Sequence, residues 1–114
     1  MTAYSAGDLV AVEFPFADLQ TLKRRPGLVL AGGGEDLLVA RVTTHPPRDN
    51  NDVALIHWAE AGLPRASTVR LVKLATIDQR LVHHKIGRLR SKDAHLIAQT
   101  WECLSASVAA ELRR

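Results

Sequence analysis

At 114 residues, 46% of them hydrophobic and 24% charged, the chain has room for one core and the composition of an ordinary globular domain. Fifteen Lys and Arg against twelve Asp and Glu leave a formal charge of +3, which permits a polyanionic partner without demanding one. The lone Cys103 excludes an internal disulfide and a Cys-based zinc site.

The first predicted element is DLVAVEF (8–14), rich in β-branched and apolar residues and closed by Pro15. FADLQTLKRR (16–25) follows as an irregular loop. GLVLA (27–31) and LLVARVT (37–43) flank the flexible GGGED turn and predict a hairpin. HPPRDNN (45–51) is a second loop, because Pro46 and Pro47 forbid a regular strand there. DVALIHW (52–58) predicts a strand with Val53, Leu55 and His57 on one face and Ala54, Ile56 and Trp58 on the other. STVRLVKL (67–74) alternates Val69, Leu71 and Lys73 against Thr68, Arg70, Val72 and Leu74. Short strands at ATID (75–78) and HKIGRL (84–89) come next. From Ser91, a good N-cap with Asp93 in the first turn, the period becomes helical. Ile97, Trp101, Leu104, Val108 and Leu112 share one face, which packs on the strands, on a partner subunit, or on both. The residues thus predict one domain over 1–114, mainly β with a C-terminal α-helix. Its strands form a small barrel or sandwich over about 7–90, and the helix runs over about 91–112.

No motif names a cofactor or a metal. GGG (32–34) lacks the spacing of a dinucleotide fingerprint and the Lys-Ser/Thr of a P-loop, so it reads as a turn. His83 and His84 point to opposite faces of a strand, and His45, His57 and His95 share no ligand spacing with them. Cys103 lies beside the apolar helix face as a small packing residue. Neither a signal peptide nor a run of ~18 apolar residues is present, so a soluble, cytoplasmic protein without a membrane partner is expected.

The cations carry more. Lys23, Arg24, Arg25, Arg41, Arg48, Arg65, Arg70 and Lys73 fall within one stretch, mostly near strand ends or loops. The crowding in LKRRPGLVL needs something to offset it, either solvation or an anionic partner. Arg70 is a cation between the apolar Val69 and Leu71, while Thr43 and Thr44 sit where a strand meets the second loop. Hydroxyls beside guanidiniums at a strand end suit a phosphodiester, since Arg matches phosphate oxygens bidentately.

GDLVAVEFPFADLQTLKRRPGLVL resembles the opening of the PemK/MazF toxin family, a Gly-Asp strand leading to Arg-Pro at the second strand. VARVTTH is similar to the family strand ending in Ile/Val-Thr. WAEAGLPRASTVRLVKLATIDQRLVHHKIGRLRSKD resembles the later block, and the likeness runs in order over about residues 7–104. It implies an SH3-like barrel with a C-terminal helix, usually a homodimer. It also implies the toxin of a type II toxin–antitoxin pair: a metal-independent endoribonuclease for single-stranded RNA, silenced by an acidic antitoxin. Arg25 corresponds to the family's catalytic Arg before Pro, Thr43 to its catalytic Thr, and Arg70 to an Arg proposed as a proton donor. Lys23 and Arg24 belong to the loop covering the RNA groove, and Thr44, His45, Arg48 and Lys73 complete the RNA-binding set. Where some members carry an Asp two residues after that last Arg, this chain has Val72, and its first loop has no His, which leaves the general base unassigned.

In such a reaction the ribose 2′-OH attacks the adjacent phosphate, the 5′-oxygen leaves, and a 2′,3′-cyclic phosphate forms. Arg25, with Arg70, would stabilise the phosphorane and Thr43 would bond the scissile phosphate. Two other readings stay open. A related toxin family uses the same barrel against gyrase, although it relies on a Trp-Gly-Ile tail where this chain has AAELRR. The third is a barrel that binds nucleic acid without chemistry.

Overall fold

The computed structural model describes residues 4–14, 23–32 and 34–114. The strands are β1 (Asp8–Phe14), β2 (Lys23–Ala31), β3 (Asp36–Thr43), β4 (Asp52–Ala54), β5 (Thr68–Asp78) and β6 (His84–Arg88), followed by helix α1 (Ser91–Leu112). The strands form one antiparallel sheet in the order β4-β5-β3-β2-β1-β6. The mainly-β class with a C-terminal helix is therefore as the sequence predicts. Most of the first loop (16–22), and Gly33 of the turn, lie outside the described residues.

Strand alternation sorts side chains into two clusters. Leu9, Leu28, Ala40, Val42, Val53, Val69 and Leu71 face one side, where Ile97, Trp101 and Leu104 of α1 cover them. Val10, Val12, Val29, Leu37, Val39 and Ile77 form the other cluster. The segment after β4 closes the sheet onto β6. A Cβ at Gly87 would run into the Ala61 carbonyl, and one on Gly62 would come 2.7 Å from the Ile86 carbonyl oxygen. Gly62 also has φ +102, which side chains rarely adopt. Two glycines thus let two backbones touch where the barrel shuts.

Several local expectations are corrected. The strand expected over 52–58 stops at Ala54, because Asp93 captures the next amides: Ile56 N–H and His57 N–H donate to its carboxylate at 2.9 and 2.8 Å. Asp93 is fully buried in the first turn of α1, where the positive helix end favours an anion. The strands expected at 67–74 and 75–78 are one strand, β5, with a register slip against β3. Arg90 rather than Ser91 is the N-cap, and it makes no side-chain capping bond. Beyond Leu104 the predicted apolar face is open, with Val108 and Leu112 exposed, and Cys103 is exposed rather than packed.

Asp8 on β1 ties that strand to the neighbouring edge strand β6. Its carboxylate accepts from Ser5 N–H at 3.0 Å, Arg88 Nη1 at 2.8 Å and Lys85 Nζ at 3.2 Å. Burial alone would raise this carboxyl, but the bonds from Ser5, Arg88 and Lys85 outweigh it and hold the group below its ordinary 3.8. A folded-state value below the unfolded one stabilises above about pH 4, and that contribution is lost as pH falls through the folded value. Asp8→Asn is expected to cost about 1.5 kcal/mol at pH 7. In urea unfolding, the gap between variant and wild type should narrow as pH falls below 3.8.

Candidate active site

The site grows out of the β2–β3–β5 register. Gly27 lies opposite Arg41, and Arg25 and Thr43, each two residues beyond on its own strand, line one cleft. On the other side of β3, Arg41 lies opposite Arg70 and Thr43 opposite Thr68. Arg70 in turn faces Asp52 on β4. Cross-strand partners share a face, so two adjoining rows form at one end of the sheet. One row reads Asp52, Arg70, Arg41, Gly27; the next holds Thr68, Thr43 and Arg25. Gly27 adds no side chain to its row.

Where these rows meet the loops there is a cleft of about 150 Å³. Arg25, Arg41, Thr43, Thr44, His45, Arg65 and Ser67 give it its polar groups, and Leu63 and Pro64 give it an apolar wall. His45 N–H donates to Thr43 Oγ1 at 3.3 Å. With that oxygen accepting, the Thr43 hydroxyl hydrogen is free to be donated onward. Arg25 Nε is buried and has no hydrogen-bond partner among the described residues. A buried donor in that condition costs about 1–3 kcal/mol until an acceptor arrives.

Like charges crowd here. Burial first, and then the guanidiniums of Arg25, Arg70 and Arg48, push Arg41 below the ordinary arginine value. All four remain cations at neutral pH. Asp52 counters part of this. Its side chain is fully buried, and it accepts Arg70 Nε at 3.2 and 3.3 Å and Arg48 N–H at 2.9 Å. It therefore fixes both the Arg70 guanidinium and the backbone of the second loop.

The cleft brings together Arg25, Thr43, Thr44 and His45. Arg70 and Arg48 lie beside Arg41 without lining the cleft. Arg24 is exposed and sits opposite Glu13, one residue out of phase with Arg25 and so on the other face of β2. Lys73 is exposed within the β3–β5 slip, away from the cleft. Lys23 opens β2, and its side chain lies outside the described residues. Sequence reasoning missed Asp52, Ser67 and the site placement of Arg41 and Arg65. Arg41 was readable, since it shares the alternation of Val39 and Thr43. Nothing in the sequence pairs Asp52 with Arg70.

Residues 5–102 match the PemK-like, MazF-like toxins of type II toxin–antitoxin systems. The chain belongs to that family. Among solved structures, this toxin superposes on a MazE–MazF complex from Deinococcus radiodurans with TM-score 0.71 and 20% identity, over 95% of this chain and 98% of the other. It is also similar to the toxin MazF-mt6 of Mycobacterium tuberculosis (0.68, 21%, 82% and 90%). A third is an endoribonuclease from a mycobacterial species (0.68, 17%, 88% of each). At these identities the likeness is one of fold. No curated protein sequence matches the chain. Among the described residues no helix is long and apolar enough to cross a membrane.

Removing one partner of a buried ion pair leaves the other charge uncompensated, at about 3–5 kcal/mol. Asp52→Ala is expected to lose stability on that scale in denaturant unfolding. Asp52→Leu combined with Arg70→Met should recover most of it, because the pair is then replaced rather than broken.

Proposed function

We propose that this toxin is a metal-independent endoribonuclease that cuts single-stranded RNA in the cytoplasm by attack of the ribose 2′-OH. The observation that carries the reading is the buried Nε of Arg25, unpartnered among the described residues, beside Thr43 in a cationic cleft. Family membership supports it, as do neighbours of the same fold described as endoribonucleases.

The RNA brings its own nucleophile, so the protein has to orient the phosphate and hold the charge that develops. Arg25 stabilises the phosphorane. It enters β2 just before Pro26, which stiffens its backbone and aims the guanidinium. Thr43 donates its hydroxyl to a non-bridging phosphate oxygen. Arg70, held by Asp52, adds field from behind Arg41. Thr44 and Arg48 track the strand beside the cleft, while Lys23, Arg24 and Lys73 add general positive charge rather than contacts in the cleft.

The toxin works as a homodimer silenced by a cognate acidic antitoxin. The same cations that draw phosphates draw carboxylates. An apolar groove of about 390 Å³ between α1 and β2, lined by Leu30, Leu38, Ile97 and Trp101, supports the presence of a second copy, as do the exposed Val108 and Leu112.

Losing a donor to the transition-state phosphate typically costs about 10²–10³ in rate. Arg25→Ala is expected to lose that much in single-turnover cleavage of one RNA, with a far smaller loss of RNA affinity. Thr43→Val, which removes only the hydroxyl, should fall between Arg25→Ala and wild type. Arg24→Ala should mainly weaken binding. Equal rates for Arg25→Ala and Arg24→Ala would contradict the assignment.

A further inference from the structure

We propose that His45 is the general base of the reaction, taking the proton of the attacking 2′-OH. This rests on the endoribonuclease reading above and supplies the group that the resemblance leaves unassigned.

The polar groups lining the cleft leave few choices. Arg25 from β2 and Arg41 from β3 stay protonated, as does Arg65 from the segment before β5. Thr43, Thr44 and Ser67 offer hydroxyls, which do not act as bases at neutral pH. No carboxylate lines the cleft among the described residues, and the nearby Asp52 is fully buried and engaged by Arg70 and Arg48. An imidazole ordinarily titrates between about pH 5 and 8 and has a ring nitrogen lone pair to offer.

The backbone holds His45 beside Thr43 at the cleft. The bond from His45 N–H to Thr43 Oγ1 folds the chain back at the end of β3, so the residue that holds the phosphate and the residue carrying the base share one turn. Pro46 and Pro47 follow, and a residue before proline is confined to extended geometry. His45 is exposed, so its ring is open to substrate.

In the step, the neutral ring nitrogen takes the 2′-OH proton as the O2′–P bond forms. The P–O5′ bond breaks, its electron pair leaves with O5′, and O5′ takes a proton from water. The imidazolium then returns its proton to solvent. The products are a 2′,3′-cyclic phosphate and a 5′-hydroxyl.

The test uses the full chain and a randomised single-stranded RNA pool, with new 5′-hydroxyl ends mapped by sequencing. Single-turnover rates are then measured on the most-cut member from pH 5 to 9. Wild type should show a rate rising about tenfold per pH unit on the acid side and then levelling. His45→Ala and the bulkier His45→Gln keep the backbone bond to Thr43 and should lose about 10²-fold or more at pH 7.5. They should also lose the acid limb, and added imidazole should restore His45→Ala in part. Either variant cutting within threefold of wild type overturns the inference, as does a slower variant that keeps the wild-type pH profile. If wild type itself produces no 5′-hydroxyl ends, the endoribonuclease reading fails and takes this one with it.

Discussion

The arrangement depends on one slip in the β3–β5 ladder. Up to Ala40 and Leu74 the two strands pair without interruption; the next pair is Arg41 with Arg70, so β5 carries three extra residues at that point. An odd slip swaps the faces of a strand, because side chains alternate with period two. Without it, Arg41 would meet Lys73, Arg70 would point into the helix-covered core, and Val69 and Leu71 would face the cleft. With it, Val69 and Leu71 are completely buried beneath α1, and Arg70 joins Arg41. Leu71, Val72 and Lys73 take up the displacement, and of these Val72 and Lys73 are left exposed.

The slip creates an electrostatic problem that the fold solves only in part. Like charges directly opposite on neighbouring strands cost about 0.2–1 kcal/mol. A charge-assisted hydrogen bond contributes about 1.5–3 kcal/mol, so the Asp52–Arg70 contact is enough to hold the row together without a ligand. It does nothing for Arg25, whose Nε stays buried and unpartnered among the described residues. The cationic end of the sheet is therefore stable enough to persist and unsatisfied enough to attract an anion. It is rigid where Asp52 clamps Arg70 and open where Arg25, Thr43 and His45 face solvent.

Much of this was legible in the residues. Runs of β-branched and apolar residues with turn signals between them gave β1, the β2–β3 hairpin and β6, and the change of period gave α1 within its observed bounds. Arg25, Thr43, Thr44 and His45 could be singled out because ordered motifs resembled a family. Most of the failures share one cause: they depended on a contact distant in sequence. Asp93 ends β4 by binding amides more than thirty residues earlier. Asp52 reaches Arg70 only because β4 pairs with β5. The slip leaves Lys73 in smooth alternation when read as sequence, and only pairing with β3 reveals the break. Ser91 looked like a cap by residue type, but the chain turns into the helix one residue sooner.

The central claim is that the cleft between β2 and β3 seats the phosphate at which RNA is cut. The most direct measurement is a crystal structure of the toxin with its preferred RNA, carrying a 2′-deoxynucleotide at the cut position so that the nucleophile is missing. The account predicts an intact strand with that phosphate within hydrogen-bond distance of the Arg25 guanidinium and Thr43 Oγ1. RNA lying along α1 or elsewhere with the cleft empty, or a 2′-deoxy strand found cleaved, would contradict it.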